Sequence, residues 1–141
     1  MSTVNDVRIG VLGLGTVGAG VVKILQTRVA MLQERTGARL SLAAVADTDL
    51  ARPREGLDLA TLPLTGDAAR VLADPSIHVV VELVGGLEPA RTFIMRALTA
   101  GKHVVTANKA LLATTAPSST TRRGAAGWHW ASRRRWPVAS R

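Results

Sequence analysis

Val7-Arg8-Ile9-Gly10-Val11-Leu12-Gly13-Leu14-Gly15-Thr16-Val17-Gly18 decides how this 141-residue chain folds. Val7 to Leu12 carries a single charge, Arg8, and reads as a short buried strand. It runs into a G-x-G-x-x-G turn, and a helical pattern follows. That turn is informative only between a strand and a helix, and both are present. Gly13 permits the tight turn. Gly15 leaves the backbone bare for a pyrophosphate, and Gly18 lets the helix lie close to the strand. The helix N-terminus adds N–H groups and a partial positive charge that suit phosphate. We therefore expect Gly13, Leu14, Gly15, Thr16, Val17 and Gly18 to bind a dinucleotide, NAD or NADP.

Working outward, Val17, Val21, Ile24, Leu25, Val29 and Leu32 recur at three- and four-residue spacings. This predicts one long helix with a single apolar face, stopped at Gly37. Leu40 to Ala46 reads as a second strand ending at Asp47. Residues 48–64 contain Pro53, Gly56 and Pro63 and read as a loop with little regular structure. Gly66 to Ala73 predicts a short helix, stopped by Asp74-Pro75. Ile77 to Val84 is a nearly unbroken apolar strand ending in Gly85-Gly86. Pro89 to Ala100 predicts a helix, with Pro89 near its first turn and Gly101 just past its end. His103 to Thr106 is a further strand. Continuous apolar strands alternating with helices predict an α/β fold, a doubly wound parallel sheet of the Rossmann type.

The end of the second strand is where a cofactor's adenosine ribose would lie. Asp47, 29 residues beyond Gly18, would accept bonds from ribose hydroxyls and disfavour a 2′-phosphate, pointing to NAD. Arg52 and Arg54 follow and could instead hold that phosphate, so both cofactors stay open. Glu82 is unusual inside an apolar strand and should be hydrogen-bonded or near the cofactor rim. His103 is expected to be a packed strand residue rather than a catalytic base.

The net charge of +8 is unevenly spread. Residues 1–114 hold 12 basic and 10 acidic side chains, whereas residues 115–141 hold six arginines and no acid. The three tryptophans, Trp128, Trp130 and Trp136, also lie in that tail. With no cysteine in the chain, disulfide frameworks and cysteine metal sites are excluded. No metal is expected. No basic-then-apolar leader and no apolar run of membrane-spanning length is seen, so a soluble cytoplasmic protein with no membrane partner is expected.

Three segments together resemble homoserine dehydrogenases. They are Val11 to Gly18; Val80 to Gly86 with Glu88-Pro89-Ala90; and Gly101-Lys102-His103-Val104-Val105-Thr106-Ala107-Asn108-Lys109-Ala110-Leu111-Leu112-Ala113. The first is shared by many dinucleotide binders, while the second and third are more specific in this order. The resemblance implies interconversion of homoserine and aspartate semialdehyde with NAD(P), in the route to threonine and methionine. It also implies that Gly85 and Gly86 leave room for the nicotinamide ribose. Thr106, Asn108 and Lys109 would lie on the same rim, with Lys109 the catalytic group beside nicotinamide and substrate.

The resemblance stops after Ala113, where the family continues into a dimerisation region and a substrate domain. The expected organisation is an NAD(P)-binding domain at 1–114 and a basic Arg/Trp-rich tail at 115–141, disordered or out of frame. In a frame shifted by one base, G/C-rich codons for the tail allow a segment like the family's own. The chain alone is then expected to be inactive, with homo-oligomers only in a full-length enzyme. Leu111 and Leu112 would be left partly exposed. Three rivals remain: a different dehydrogenase fragment, a non-catalytic dinucleotide sensor, and a nucleic-acid binder using the Arg/Trp tail. Nucleic acid is disfavoured because the basic charge sits in a segment without a fold signature.

Overall fold

A computed structural model describes residues 5–109 and residue 111. The expectations for residues 115–141 and for Leu112 lie outside these described residues. Five strands, β1 (Asn5–Leu12), β2 (Ala38–Ala46), β3 (Leu64–Thr65), β4 (Val79–Glu82) and β5 (His103–Thr106), form one sheet. Its order is β3-β2-β1-β4-β5 and every pairing is parallel. The chain thus starts at the centre, winds outward to β3, returns past β1 and winds out the other way. The doubly wound α/β fold is as predicted.

The helices are α1 (Thr16–Thr27), α2 (Val29–Thr36), α3 (Ala68–Ala73) and α4 (Ala90–Thr99). Two apolar clusters hold them to the sheet. The first gathers Ile9, Val11, Leu14, Val22, Leu25, Val45 and Leu62. The second gathers Leu12, Ala46, Val71, Leu72, Ile77, Val80 and Ala97. Neighbouring strand residues feed opposite clusters, as the period-two alternation of side chains requires. Each sheet face therefore has its own core.

The single helix predicted from Val17 onward is two. The backbone leaves helical geometry at Arg28 (φ −116°, ψ 25°), just after Thr27 turns its hydroxyl back onto the Lys23 carbonyl. Such back-bonding competes with the helix ladder and bends helices. Gly37 ends α2 in the left-handed conformation (φ 71°), as expected. The predicted apolar face is also rotated. Gly18, Val22 and Leu25 are buried, while Val17 and Ile24 are exposed. The cause is steric: a Cβ at Gly18 would lie 2.0 Å from the Gly13 carbonyl oxygen. Gly18 must face the turn, and the residues four and seven further on follow it inward.

This contact makes a first testable outcome. Gly18→Ala should destabilise the domain by about 3 kcal/mol, the upper range for overpacking, because backbone rather than a movable side chain blocks the methyl. A urea midpoint equal to that of the parent would show the contact to be soft.

Three further differences matter. The loop predicted over 48–64 contains a 3-10 turn, Leu59–Thr61, started by Asp58, whose carboxylate accepts from the Ala60 N–H. It is followed by β3, a two-residue strand too short for any periodicity to announce. His103 is exposed rather than packed, at the amino end of β5. Leu111 is 3% exposed, so its expected exposure is overturned. The Asn108 carbonyl oxygen accepts from its N–H at 3.1 Å and closes the turn that folds it inward. No helix of the described residues is long and apolar enough to cross a membrane.

Candidate functional site

The carboxyl ends of parallel strands β1, β2, β4 and β5 share one rim, where ligands gather in open α/β sheets. On it stand the glycine turn after β1, Asp47 after β2, Gly85-Gly86 after β4, and Thr106 to Lys109 at the end of β5. The structure brings together these stretches, separated by up to about ninety residues of chain.

The three turn glycines have different physical reasons. Gly13 takes φ +95°, and a Cβ there would meet the Leu83 backbone at 2.9 Å. Gly18 is blocked by Gly13, as above. A Cβ at Gly15, by contrast, would meet no atom of the described residues within 4 Å, and its φ of −77° suits any residue. No described side chain or strained φ therefore requires glycine at 15, whereas a group lying over the turn would. Gly15 is also the N-cap of α1, which has no side-chain cap and no acid in its first turn. An uncapped helix start beside open space fits a dinucleotide pyrophosphate.

Asp47 braces this turn. Its carboxylate accepts from the Leu14 N–H at 2.6 Å and from the Asp49 N–H at 2.8 Å. Arg54 closes on it from the other side at 3.4 Å, and both side chains are largely buried. The Arg54 guanidinium also donates to the carbonyls of Leu14, Arg52 and Asp49. With those donors committed to loop carbonyls, Arg54 is a clamp between the loop and the turn, and Arg52, which is exposed, is the arginine facing solvent. Sequence reading weighed the two alike; nothing local separates them.

Burial pushes the Asp47 carboxyl up, but the N–H groups of Asp49 and Leu14 and the charges of Arg54 and Arg52 outweigh it, so it titrates below the ordinary range. A depressed folded pKa contributes stability above the unfolded value, about 4, and loses it as pH falls through the folded value. Asp47→Asn should therefore be less stable than the parent at pH 7, with the gap closing in acid. Urea midpoints measured from pH 7 down to about pH 2 check this, and a gap independent of pH would rule it out.

At the other end of the rim a hollow of about 320 Å³ is lined by Val17, Leu83, Val84, Gly85, Ala107, Asn108 and Lys109. Lys109 is exposed and, among the described residues, is its only ionisable lining residue. The exposure of Val17, odd for an apolar helix residue, makes sense as one wall of this hollow. Gly86 takes φ +85° and so needs glycine, while Gly85 opens onto free space. Thr106 and Asn108 are largely committed within the protein. The Thr106 hydroxyl donates to Glu82 at 2.7 Å and accepts from the Asn108 N–H at 3.1 Å. The Asn108 amide donates to the Gly86 carbonyl and accepts from Leu111. Glu82, fully buried, is thus both hydrogen-bonded and at the rim.

A larger hollow of about 420 Å³, lined by Leu72, Ala73, Met95, Arg96, Thr99 and Ala100, lies where α3 and α4 lead into β4 and β5. That is the opposite end of the strands. Near it Lys102, missed in the sequence as a core residue, is 5% exposed and donates to the carbonyls of Asp74 and Ile77, the latter at 3.0 Å.

Residues 13–129 match the family described as "Homoserine dehydrogenase, NAD binding domain", a range that runs past Thr114. The chain is 44% identical over 107 residues to the homoserine dehydrogenase of Bacillus subtilis, covering 76% of this chain and 24% of that protein. It is 46% identical over 114 residues to that of a Synechocystis species, covering 79% of this chain and 25% of the relative. A crystal structure of a homoserine dehydrogenase from Thiobacillus denitrificans superimposes with a TM-score of 0.73 at 40% identity, over 82% of this chain and 26% of that one. The S. aureus enzyme gives 0.71 at 36%, over 78% and 28%. The chain thus spans about a quarter of the length of these relatives. The glycine turn, the rim and these likenesses agree, and the chain belongs to the homoserine dehydrogenase family, within its NAD-binding domain.

Proposed function

We propose that this chain binds NAD(P) across the sheet rim and supplies the cofactor half of a homoserine dehydrogenase, interconverting L-homoserine and L-aspartate 4-semialdehyde. The observation that carries the cofactor reading is Gly15: an ordinary backbone conformation, open space above it, and an uncapped helix start beside it. Gly13, Leu14, Gly15, Thr16, Val17 and Gly18 would cradle the pyrophosphate. Asp47, through the oxygen that accepts from Leu14 and is not held by Arg54, and Arg52 would meet the adenosine ribose. Gly85, Gly86, Thr106, Asn108 and Lys109 would form the nicotinamide end.

The nicotinamide, when bound, exchanges a hydride with the substrate carbon. The chain's own contribution is arrangement and charge. Lys109 would hold its ammonium against the substrate oxygen, stabilising negative charge as the alcohol proton departs. Gly85 would let substrate and nicotinamide approach without a side chain between them. A hydroxyl to be oxidised also needs a group to take its proton and groups to grip the amino acid. Lys109 alone does not supply these, so the reading requires a second domain, from which the homo-oligomer would also be built. We place the domain boundary at Thr114 on composition: beyond it stand six arginines and no acid, and resequencing the gene checks whether that tail is in frame.

Calorimetric titration of the 141-residue chain with NAD(H) and NADP(H) tests the cofactor reading. Saturable binding of either supports it, and the absence of both refutes it. Arg52→Ala should weaken NADP(H) more than NAD(H) if Arg52 meets a 2′-phosphate. Equal effects would remove that role.

A further inference from the structure

We infer that Glu82 is the positioning residue of the hollow at the β4–β5 end, a buried carboxylate that locks two ligand-facing loops into one arrangement. The inference rests on the dinucleotide reading above and deepens it at the nicotinamide end.

Glu82 is 0% exposed at the last position of β4, where Val80, two residues earlier on the same strand, is an ordinary apolar core residue. A buried carboxylate is costly unless donors satisfy both oxygens. Here each oxygen is taken by a different segment, the loop after β4 and the last residue of β5. One accepts from the Val84 N–H at 2.6 Å, fixing the segment that leaves β4. The other accepts from the Thr106 hydroxyl at 2.7 Å, the neighbouring position on β5. Thr106 passes the restraint to the Asn108 N–H, and the Asn108 amide reaches back to the Gly86 carbonyl. The bonds close a ring: Glu82, Val84, Gly86, Asn108, Thr106 and Glu82 again.

Two members of that ring, Val84 and Asn108, line the hollow. Leu83, Val84 and Gly85 line it from one loop, and Ala107, Asn108 and Lys109 from the other. Glu82 and Thr106 are not among the described residues that line it, so Thr106 serves the nicotinamide end by holding Asn108 in place. Their effect passes through the separation of the two loops, and hence through where Gly85 and Lys109 stand. The adenosine end is held by other groups: Asp47 and Arg54 brace the Leu14 side of the glycine turn, and neither bonds to the ring. Breaking the ring should therefore impair one half of the dinucleotide site and spare the other.

ADP-ribose and NADH separate the two halves, since only NADH carries a nicotinamide. The parent chain should bind NADH more tightly than ADP-ribose and raise the emission of the reduced nicotinamide. Thr106→Val keeps the shape and the strand propensity but removes the hydroxyl. Glu82→Gln keeps an acceptor for Val84 but turns an N–H toward Thr106. Each should leave ADP-ribose affinity unchanged, weaken NADH about tenfold, the worth of one lost hydrogen bond, and abolish the emission gain. Thr106→Ser, which restores the hydroxyl, should recover the emission. If Thr106→Val does not give a folded circular dichroism spectrum, Glu82→Gln decides alone. Loss of both ligands together in folded variants, or retention of the NADH advantage, overturns the positioning role. A parent that binds NADH and ADP-ribose equally overturns this inference alone. A parent that binds neither overturns the dinucleotide reading and this one with it.

Discussion

Gly15→Val should abolish NAD(H) and NADP(H) binding while the domain still folds, with a urea midpoint lowered far less than by Gly18→Ala. The structure makes both halves of this expectation sharp. A Cβ at 15 meets no atom of the described residues within 4 Å and φ −77° is an ordinary conformation, so the native state loses little beyond the preference for glycine over valine at an N-cap. The added isopropyl group would occupy the space over the turn that a pyrophosphate needs. It would also separate the phosphates from the N–H groups at the start of α1. We expect affinity to fall by at least about a hundredfold, since charge-assisted bonds of about 1.5–3 kcal/mol each are lost together. Gly18→Ala is the matched control, destabilising through the Gly13 contact. A folded Gly15→Val chain with undiminished titrations would remove the turn from the binding site.

The second large effect concerns Lys109. The 141-residue chain should bind dinucleotide without measurable homoserine oxidation, because Lys109 is the only ionisable residue among the described residues that line the hollow. Joining residues 1–113 to the remainder of the Bacillus subtilis relative, 44% identical over the matched region, should create turnover. In that chimera Lys109→Met should lower kcat by about a hundred- to a thousandfold, the usual loss when one group stabilising a developing oxyanion is removed. Dinucleotide affinity should change little, since the pyrophosphate and adenosine contacts lie elsewhere. A chimera whose kcat survives Lys109→Met would leave Lys109 as an exposed first-turn helix residue with no catalytic part. Homoserine oxidation by the 141-residue chain itself would contradict the need for a second domain.

Much of the fold could be read along the chain because the deciding signals are local. The strand at Val7–Leu12, the glycine turn, the stop at Gly37 and the strand at 103–106 depend on neighbours within a few residues. Where the reading missed, a distant contact had overridden the local pattern. The apolar period through Val17 and Ile24 is real, yet α1 is rotated because Gly18 must face Gly13. Leu111 looked exposed, yet Asn108 folds it inward. The two-residue β3 is defined only by pairing with β2, which no single-chain periodicity displays.

The site divides in the same way. The sequence by itself determined the class of ligand, through the spacing of its glycines between a strand and a helix, and named Lys109 and the carboxylates as the groups to test. The tertiary structure decided what each charged group does. Arg52 and Arg54 look equivalent two residues apart, but only Arg54 is drawn into a clamp on Asp47 and Leu14. Glu82 is an anomaly in an apolar strand until the parallel pairing of β4 with β5 sets Thr106 beside it. The reason is physical. Backbone propensities and side-chain periods act over a few residues, so they are written in order along the chain. Hydrogen bonds between loop ends depend on which strands lie adjacent, and the folded sheet creates that adjacency.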